Sequence, residues 1–293
     1  MRSRIAAFVA CQIMLCAIGM PGDPARAQET VGRAAAPAGA PVRAVKRWHY
    51  QLQGVDPGAI AASPADMAVI DIDGEDGPFG ADDIEHMRTK PDGSRRLVLA
   101  YMSIGEAESY RWYWPPRPPA WLGRESRQWR GNYAVRFWHP DWQAIILDYA
   151  DRIVAAGFDG VYLDRVDMFE NLGHAREMVD LVERISRRTK AARGDFVVVA
   201  QNGDALIAEP AFRRAIDAFA REDLFYGEGK DGARNTPASI GASLARLKRF
   251  AAEGKPVFVV EYPRDDAQAE AAAREIAEHD FIGLIATRAL DRP

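Results

Sequence analysis

The sequence predicts a (β/α)8 barrel, folded as a single domain behind a leader and a short linker. Two observations predict it. Eight apolar, strand-like runs alternate with stretches of helical period over about 250 residues, the size and rhythm of this barrel. Acidic residues stand at the ends of most of those runs, where the fold gathers its chemistry.

The N-terminus does not belong to the barrel. Arg2 and Arg4 precede an apolar run from Ile5 to Gly19, and Ala25-Arg26-Ala27 follows. A charged start, a short apolar segment and an A-x-A site read as a secretory signal peptide over 1–27, cleaved after Ala27. The run is too short to span a bilayer, and Gln12 interrupts it. Cys11 and Cys16, the only cysteines, leave with it, so the mature chain is expected to lack thiols, disulfides and cysteine-based metal sites. The leader carries Arg2, Arg4 and Arg26 against Asp23, so the formal charge of −4 becomes −6 on cleavage. A mildly acidic chain is not an obvious partner for nucleic acid or an anionic membrane. Residues 28–44 are rich in Ala, Pro and Gly and lack periodicity, which predicts a flexible linker. The barrel is assigned to 45–293.

The strand-like runs are 47–53, "MAVIDID" (67–73), "RLVLAYMSIGE" (96–106), "GVYLD" (160–164), "FVVVAQNG" (196–203), 216–226, "PVFVVEY" (256–262) and 281–288. Between them, "HPDWQAIILDYADRIVAAGFDG" places Trp142, Ile145, Ile146, Tyr149 and Ile153 on one stripe, with Pro140 near its start and Gly157 just past its end. Three later segments repeat the pattern. A doubly wound open sheet is the alternative, but no G-x-G-x-x-G follows the first strand and no G-x-x-x-x-G-K-[ST] occurs.

Strand two ends on Asp71 and Asp73, and strand three runs into Glu106 and Glu108. Strand four ends on Asp164, with Asp167 beyond; strand five ends on Gln201 and Asn202; strand six carries Glu222 and Asp223; strand seven ends near Glu261 and Tyr262. Side chains alternate along a strand, so if Val161 and Leu163 pack outward, Tyr162 and Asp164 face the barrel axis. By the same parity Glu108 and Asp223 read as structural or rim residues. Asp167 is equally well placed to cap the next helix, and Asp73 to shape a turn.

Crowded carboxylates repel unless something compensates. None of the five histidines forms an H-x-x-x-H or H-E-x-x-H pattern, and no EF-hand loop is present, so no metal or other cofactor is assigned. An all-carboxylate Ca²⁺ or Mg²⁺ site serving a metal-dependent hydrolase stays open as an alternative. No G-x-S-x-G nucleophile elbow occurs. Two-carboxylate chemistry remains, and it points to glycoside hydrolysis, with a non-catalytic polysaccharide-binding barrel as the other rival. The long segment after strand three holds Trp112, Trp114, Trp121, Trp129 and Trp138. Aromatic rings of this kind stack on sugars, and a few are expected to line a groove while the rest pack the loop down.

The motifs "YMSIGEAESYRWYW", "FWHPDWQAII", "GFDGVYLDRVDMF", "VAQNG" and "REDLFY" together resemble glycoside hydrolase family 114, the endo-α-1,4-polygalactosaminidases, over nearly all of 45–290. The resemblance implies a (β/α)8 barrel whose catalytic pair is an Asp ending strand four and a Glu on strand six. Here these are Asp164 and Glu222. Asp164 is expected to be the nucleophile or electrostatic stabiliser, supported by Tyr162 and nearby donors. Glu222 is expected to be the general acid/base, its pKa raised by its acidic neighbours. Asp71, Glu106 and Asn202 are expected to hold hydroxyls or an amine of a polysaccharide substrate. Asp73, Tyr101, Tyr162, Asp167, Tyr226, Glu261, Trp112 and Trp114 complete the predicted substrate-binding set. A secreted or periplasmic enzyme on an amino-sugar polymer is the expected whole.

Overall fold

The computed structural model describes residues 40–292, so the expected leader and the linker as far as 39 lie outside the described residues. Residues 40–43, assigned to the linker on composition, form a helical turn, Ala40–Arg43, and its Val42 is wholly buried with Val45 at the base of the barrel interior.

Eight strands form one sheet: β1 (Trp48–Gln51), β2 (Met67–Ile70), β3 (Leu97–Ser103), β4 (Gly160–Asp164), β5 (Val197–Gln201), β6 (Ala218–Glu222), β7 (Val257–Glu261) and β8 (Ile282–Ile285). Each pairs in parallel with its neighbours in sequence order, as a (β/α)8 barrel requires. Among the described residues no backbone ladder joins β8 to β1. The seam is bridged instead by the Trp48 indole, which donates to the Ile282 carbonyl at 3.2 Å, and above it by the Leu52 and Gln53 amides, which share the Leu290 carbonyl.

Helices cover the outside. The longest predicted stripe forms the helix Pro140–Ala156, with proline in its first turn and Gly157 at φ 95° closing it. Trp142, Ile146, Tyr149 and Ile153 are buried beneath it, while Ile145 is only partly covered. No helix among the described residues is long and apolar enough to cross a membrane.

The barrel interior explains the site above it. Inward positions carry Trp48 and Tyr50 (β1), Met67 and Val69 (β2), Leu99 and Tyr101 (β3), Tyr162 (β4), Val197 and Val199 (β5), Ala218 and Ala220 (β6), and Phe258 and Val260 (β7). Large rings from β1, β4 and β7 fill the space left by the alanines of β6: Trp48 lies 5.3 Å from Phe258, and Tyr50 lies 5.1 Å from Tyr162, centroid to centroid. Burying each such ring contributes on the order of 2 kcal/mol. The next inward position on each strand stands above this floor, and it is there that the side chains turn polar.

The run predicted as a single third strand breaks after Ser103. Gly105 lies so close to Arg165 that a Cβ would sit 2.2 Å from the Arg165 carbonyl oxygen. Beyond this turn, Glu106–Glu108 begins a separate antiparallel sheet with Asn132–Val135 and Leu122–Glu125. That sheet anchors the tryptophan-rich segment: Trp121 is buried against Trp142 at 4.9 Å, and Trp138 stacks on His174 at 3.8 Å.

Candidate active site

At the C-terminal ends of the strands lies a cleft of about 520 Å³. Its centre is a hydrogen-bonded set from the ends of five strands, β3 to β7. Gln201 Nε2 lies 2.9 Å from Asp164 Oδ1 and 3.0 Å from Glu222 Oε2, donating to both carboxylates. Tyr162 donates from below to Gln201 Oε1, which fixes the amide orientation. Tyr101 donates to Asp164 Oδ2 at 2.7 Å, and Tyr262 donates to Glu222 Oε1 at 2.5 Å. Asn202 Nδ2 donates to Glu222 Oε2 at 3.1 Å, while Asn202 Oδ1 receives the Glu222 amide. Burial, and then the neighbouring Asp164, push the Glu222 carboxyl up to about 7, against the donors Tyr262 and Asn202.

The support from Tyr162 is therefore indirect. Tyr101 touches Asp164, whereas Tyr162 acts through Gln201. Gln201 and Tyr262 are absent from the sequence-predicted set, although strand parity marks both: Val197, Val199 and then Gln201 point inward, as do Phe258, Val260 and then Tyr262. Glu261 has the opposite parity. It is buried outside the cleft and accepts the Phe225 and Tyr226 amides at 2.8 and 3.3 Å, holding the segment after β6. Burial pushes its carboxyl up to about 7.

Three successive strands end alike. Arg165, Asn202 and Asp223, which follow the last residues of β4, β5 and β6, all adopt left-handed backbone, with φ of 58°, 61° and 51°. This conformation costs a non-glycine residue on the order of 1–2 kcal/mol and persists only where the surroundings impose it. Ladder-like bonds do so here: the Asn202 amide reaches the Ala220 carbonyl, and the Asp223 amide reaches the Val260 carbonyl. The reversal returns the side chain after each strand to the cleft, so Asp223 lines it despite its parity, paired with both guanidinium nitrogens of Arg288 at 3.0 and 3.1 Å.

Arginines compensate the crowded acids. Arg111, almost wholly buried, grips Asp71 through two bonds of 2.6 Å, Glu108 at 2.7 Å and Asp73 at 3.3 Å. Asp71 and Glu108 line the cleft; Asp73 stands outside it, beside Arg111. Glu106 faces the cleft and pairs with Arg165 at 3.1 Å. Asp167 makes no capping bond to its helix, Met168–Leu172, and instead faces the cleft 4.0 Å from Arg165 Nε. Ten carboxylates and four arginines line the cleft, which leaves it acidic. Among the described residues no cluster of three or more His, Cys, Asp or Glu is arranged to hold a metal ion.

The aromatic expectations fall differently. Trp112 lies under the Arg152 guanidinium at 3.7 Å and Trp114 packs on Tyr133 at 4.8 Å; neither lines the cleft. Trp129 and Tyr110 do, both exposed. Tyr226 also lies outside, beside Arg234 and Glu275.

Comparison with known proteins agrees with this architecture. Residues 28–293 match the model of glycoside-hydrolase family GH114. Protein MJ1477 of Methanocaldococcus jannaschii is 36% identical over 255 residues, covering 80% of this chain and 71% of the relative. A Deinococcus radiodurans protein is 35% identical over 264 residues, covering 85% and 82%. Among solved structures, Aspergillus fumigatus Ega3 in complex with galactosamine superposes with a TM-score of 0.67 at 20% identity, covering 84% of this chain and 93% of that one. The glycoside hydrolase domain of PelA from Pseudomonas aeruginosa gives 0.65 at 17%, covering 84% and 96%. At these identities the two structures speak for the barrel fold.

Proposed function

The chain belongs to glycoside-hydrolase family GH114, and from that premise we propose that it is an exported, retaining hydrolase of an α-1,4-linked galactosamine-containing polysaccharide, with Asp164 as nucleophile and Glu222 as general acid/base. The observation that carries this reading is the Gln201 donor shared by the two carboxylates. It keeps their nearest oxygens within about 6 Å of each other, which suits the ~5–5.5 Å spacing of a retaining pair. Asp164 receives donors on both oxygens, which suits a carboxylate that attacks the anomeric carbon. Glu222, raised by burial beside Asp164, holds the proton that the leaving oxygen needs, and takes one from water in the second step. The acidic cleft suits protonated amines, and Trp129 offers an aromatic face at its rim. The galactosamine bound by Ega3 makes an amino sugar the substrate class to test first.

The test is to incubate the purified mature protein with galactosamine-containing polymers and read released oligosaccharides by mass spectrometry and the first-formed anomer by NMR. Release with retained configuration, abolished in Asp164→Asn and Glu222→Gln, is expected. Cleavage that survives in either variant would overturn that residue's role, and an inverted product would overturn the mechanism. Export predicts a secreted form that begins at Gln28; an N-terminal sequence starting at Met1 would refute it.

A further inference from the structure

Three successive strand ends meet at one guanidinium. Arg288, from the segment after β8, grips the Asp223 carboxylate with both terminal nitrogens at 3.0 and 3.1 Å, and its Nε reaches Asp231 at 2.9 Å. The same guanidinium lies 4.5 Å from the centroid of the Tyr262 ring. Tyr262 in turn donates to Glu222 Oε1, and Asp223 directly follows Glu222 in the chain. Asp223, Asp231, Tyr262 and Arg288 all line the cleft. The segment carrying Arg288 is tied to the strand β1 side: Gln53 Nε2 donates to the Ala289 carbonyl at 3.2 Å, and the Leu52 and Gln53 amides hold the Leu290 carbonyl. Room for the pair is built in as well. A Cβ at Gly227 would lie 2.5 Å from Asp223 Oδ1 and 3.1 Å from Arg288 Nη2.

An acid/base must give up a proton in one step and take one in the next, so the charges around Glu222 matter. Asp164 from β4 and Asp223 from its own strand end both raise its affinity for the proton. Tyr50 and Tyr162 below it and Tyr262 from β7 are phenols that burial holds well above their ordinary value, so all three stay neutral. Gln201 and Asn202 from β5 are uncharged donors. Arg221 lines the same cleft, but its guanidinium faces Asp204 and Glu228 at 3.8 and 3.5 Å. Arg288 is the cation that answers Asp223, against the burial that pushes the Asp223 carboxyl up. It also acts through Tyr262. A cation over the ring draws electron density from the phenol oxygen and strengthens the O–H that Tyr262 donates to Glu222. The two effects have one sign, since each favours the ionised form of Glu222.

We propose that Arg288 is a positioning residue for Glu222: it holds the Tyr262 hydroxyl on the acid and cancels the charge of Asp223 beside it, so that Glu222 can release its proton as well as hold it. The role of Glu222 itself rests on the glycosidase reading. Arg288 and Asp223 must then shift Glu222 in opposite directions, which a purely structural ion pair would not do.

The experiment measures kcat/KM against pH on α-1,4-linked galactosamine oligomers for the wild-type protein, Arg288→Met, Arg288→Lys and Asp223→Asn. In Arg288→Met the alkaline limb should move upward by roughly half a pH unit or more. Arg288→Lys keeps a charge beside Asp223 and should recover part of that shift. Asp223→Asn leaves no carboxylate unpaired and should move the limb downward, which keeps the test alive if Arg288→Met does not fold. Hydrolysis with the limb unmoved in Asp223→Asn, or moved the same way in both variants, overturns the positioning role and leaves the glycosidase reading intact. Carboxyl NMR titration of protein labelled at glutamate, with the Glu222 signal identified by its loss in Glu222→Gln, reads the same shifts without turnover. Opposed shifts in a protein that hydrolyses none of the oligomers sustain the positioning role and overturn the glycosidase reading, and absence of both shifts and hydrolysis overturns both.

Discussion

Gln201 Nε2 lies 3.0 Å from Glu222 Oε2, and the same nitrogen serves Asp164. A donor of this kind favours the charged form of each carboxylate. Gln201→Met removes it at similar volume. Turnover should fall by roughly 10–100-fold, and the alkaline limb of the pH–rate profile should move upward because Glu222 loses a bond that favours its ionised form. Tyr162, left buried without its acceptor, should cost about 1–3 kcal/mol of stability. An unmoved pH profile would show that Gln201 does not tune Glu222.

Glu222 also sets a pH dependence of stability. Its folded pKa of about 7 lies above the ordinary glutamate value of 4.5. A raised folded pKa gives stability that is fully present below the unfolded pKa and lost as pH rises through the folded one, a loss on the order of 3 kcal/mol here. Glu222→Gln escapes that loss, because its amide can face Tyr262, whose hydroxyl then accepts. The variant should match wild type near pH 5 and melt several degrees higher at pH 8. Parallel melting curves across this range would contradict the buried-acid account.

Arg111 is the counter-charge for one wall of the cleft. Arg111→Met leaves Asp71 and Glu108 buried without a cation, and loss of one partner of a buried pair costs about 3–5 kcal/mol. Arg111→Lys should recover little, since an ammonium cannot reproduce the two-pronged grip on Asp71. Chemical denaturation checks both, and a change under 1 kcal/mol in Arg111→Met would mean that these acids need no counter-charge.

The excess of carboxylates in the cleft predicts a salt-sensitive preference for amines. A partly deacetylated polymer should bind more tightly than its fully acetylated form, and the difference should narrow as ionic strength rises. Titration at low and high salt measures it. Equal affinities with no salt dependence would show that the acids serve catalysis or structure and not recognition of a cation.

Alternation in strands of period two made the barrel, its inward faces and the pair Asp164 and Glu222 legible in the sequence, since a residue's side of the sheet is fixed by counting along the strand. The same counting reaches Gln201 and Tyr262, and it places Glu261 on the outer side, where it is found holding backbone amides. Counting fails once the strand ends. The left-handed turns at Arg165, Asn202 and Asp223 reverse direction, and at Asn202 and Asp223 bonds to the neighbouring strand hold that conformation. Only the tertiary structure decided which cation meets which acid, because Arg111 reaches Asp71 from 40 residues away, and which exposed tryptophan lines the cleft, because Trp129 stands at its rim while Trp112 lies elsewhere, against Arg152. Period and parity are properties of a local backbone; charge pairing and exposure depend on contacts between segments distant in the chain, which only the folded barrel brings together.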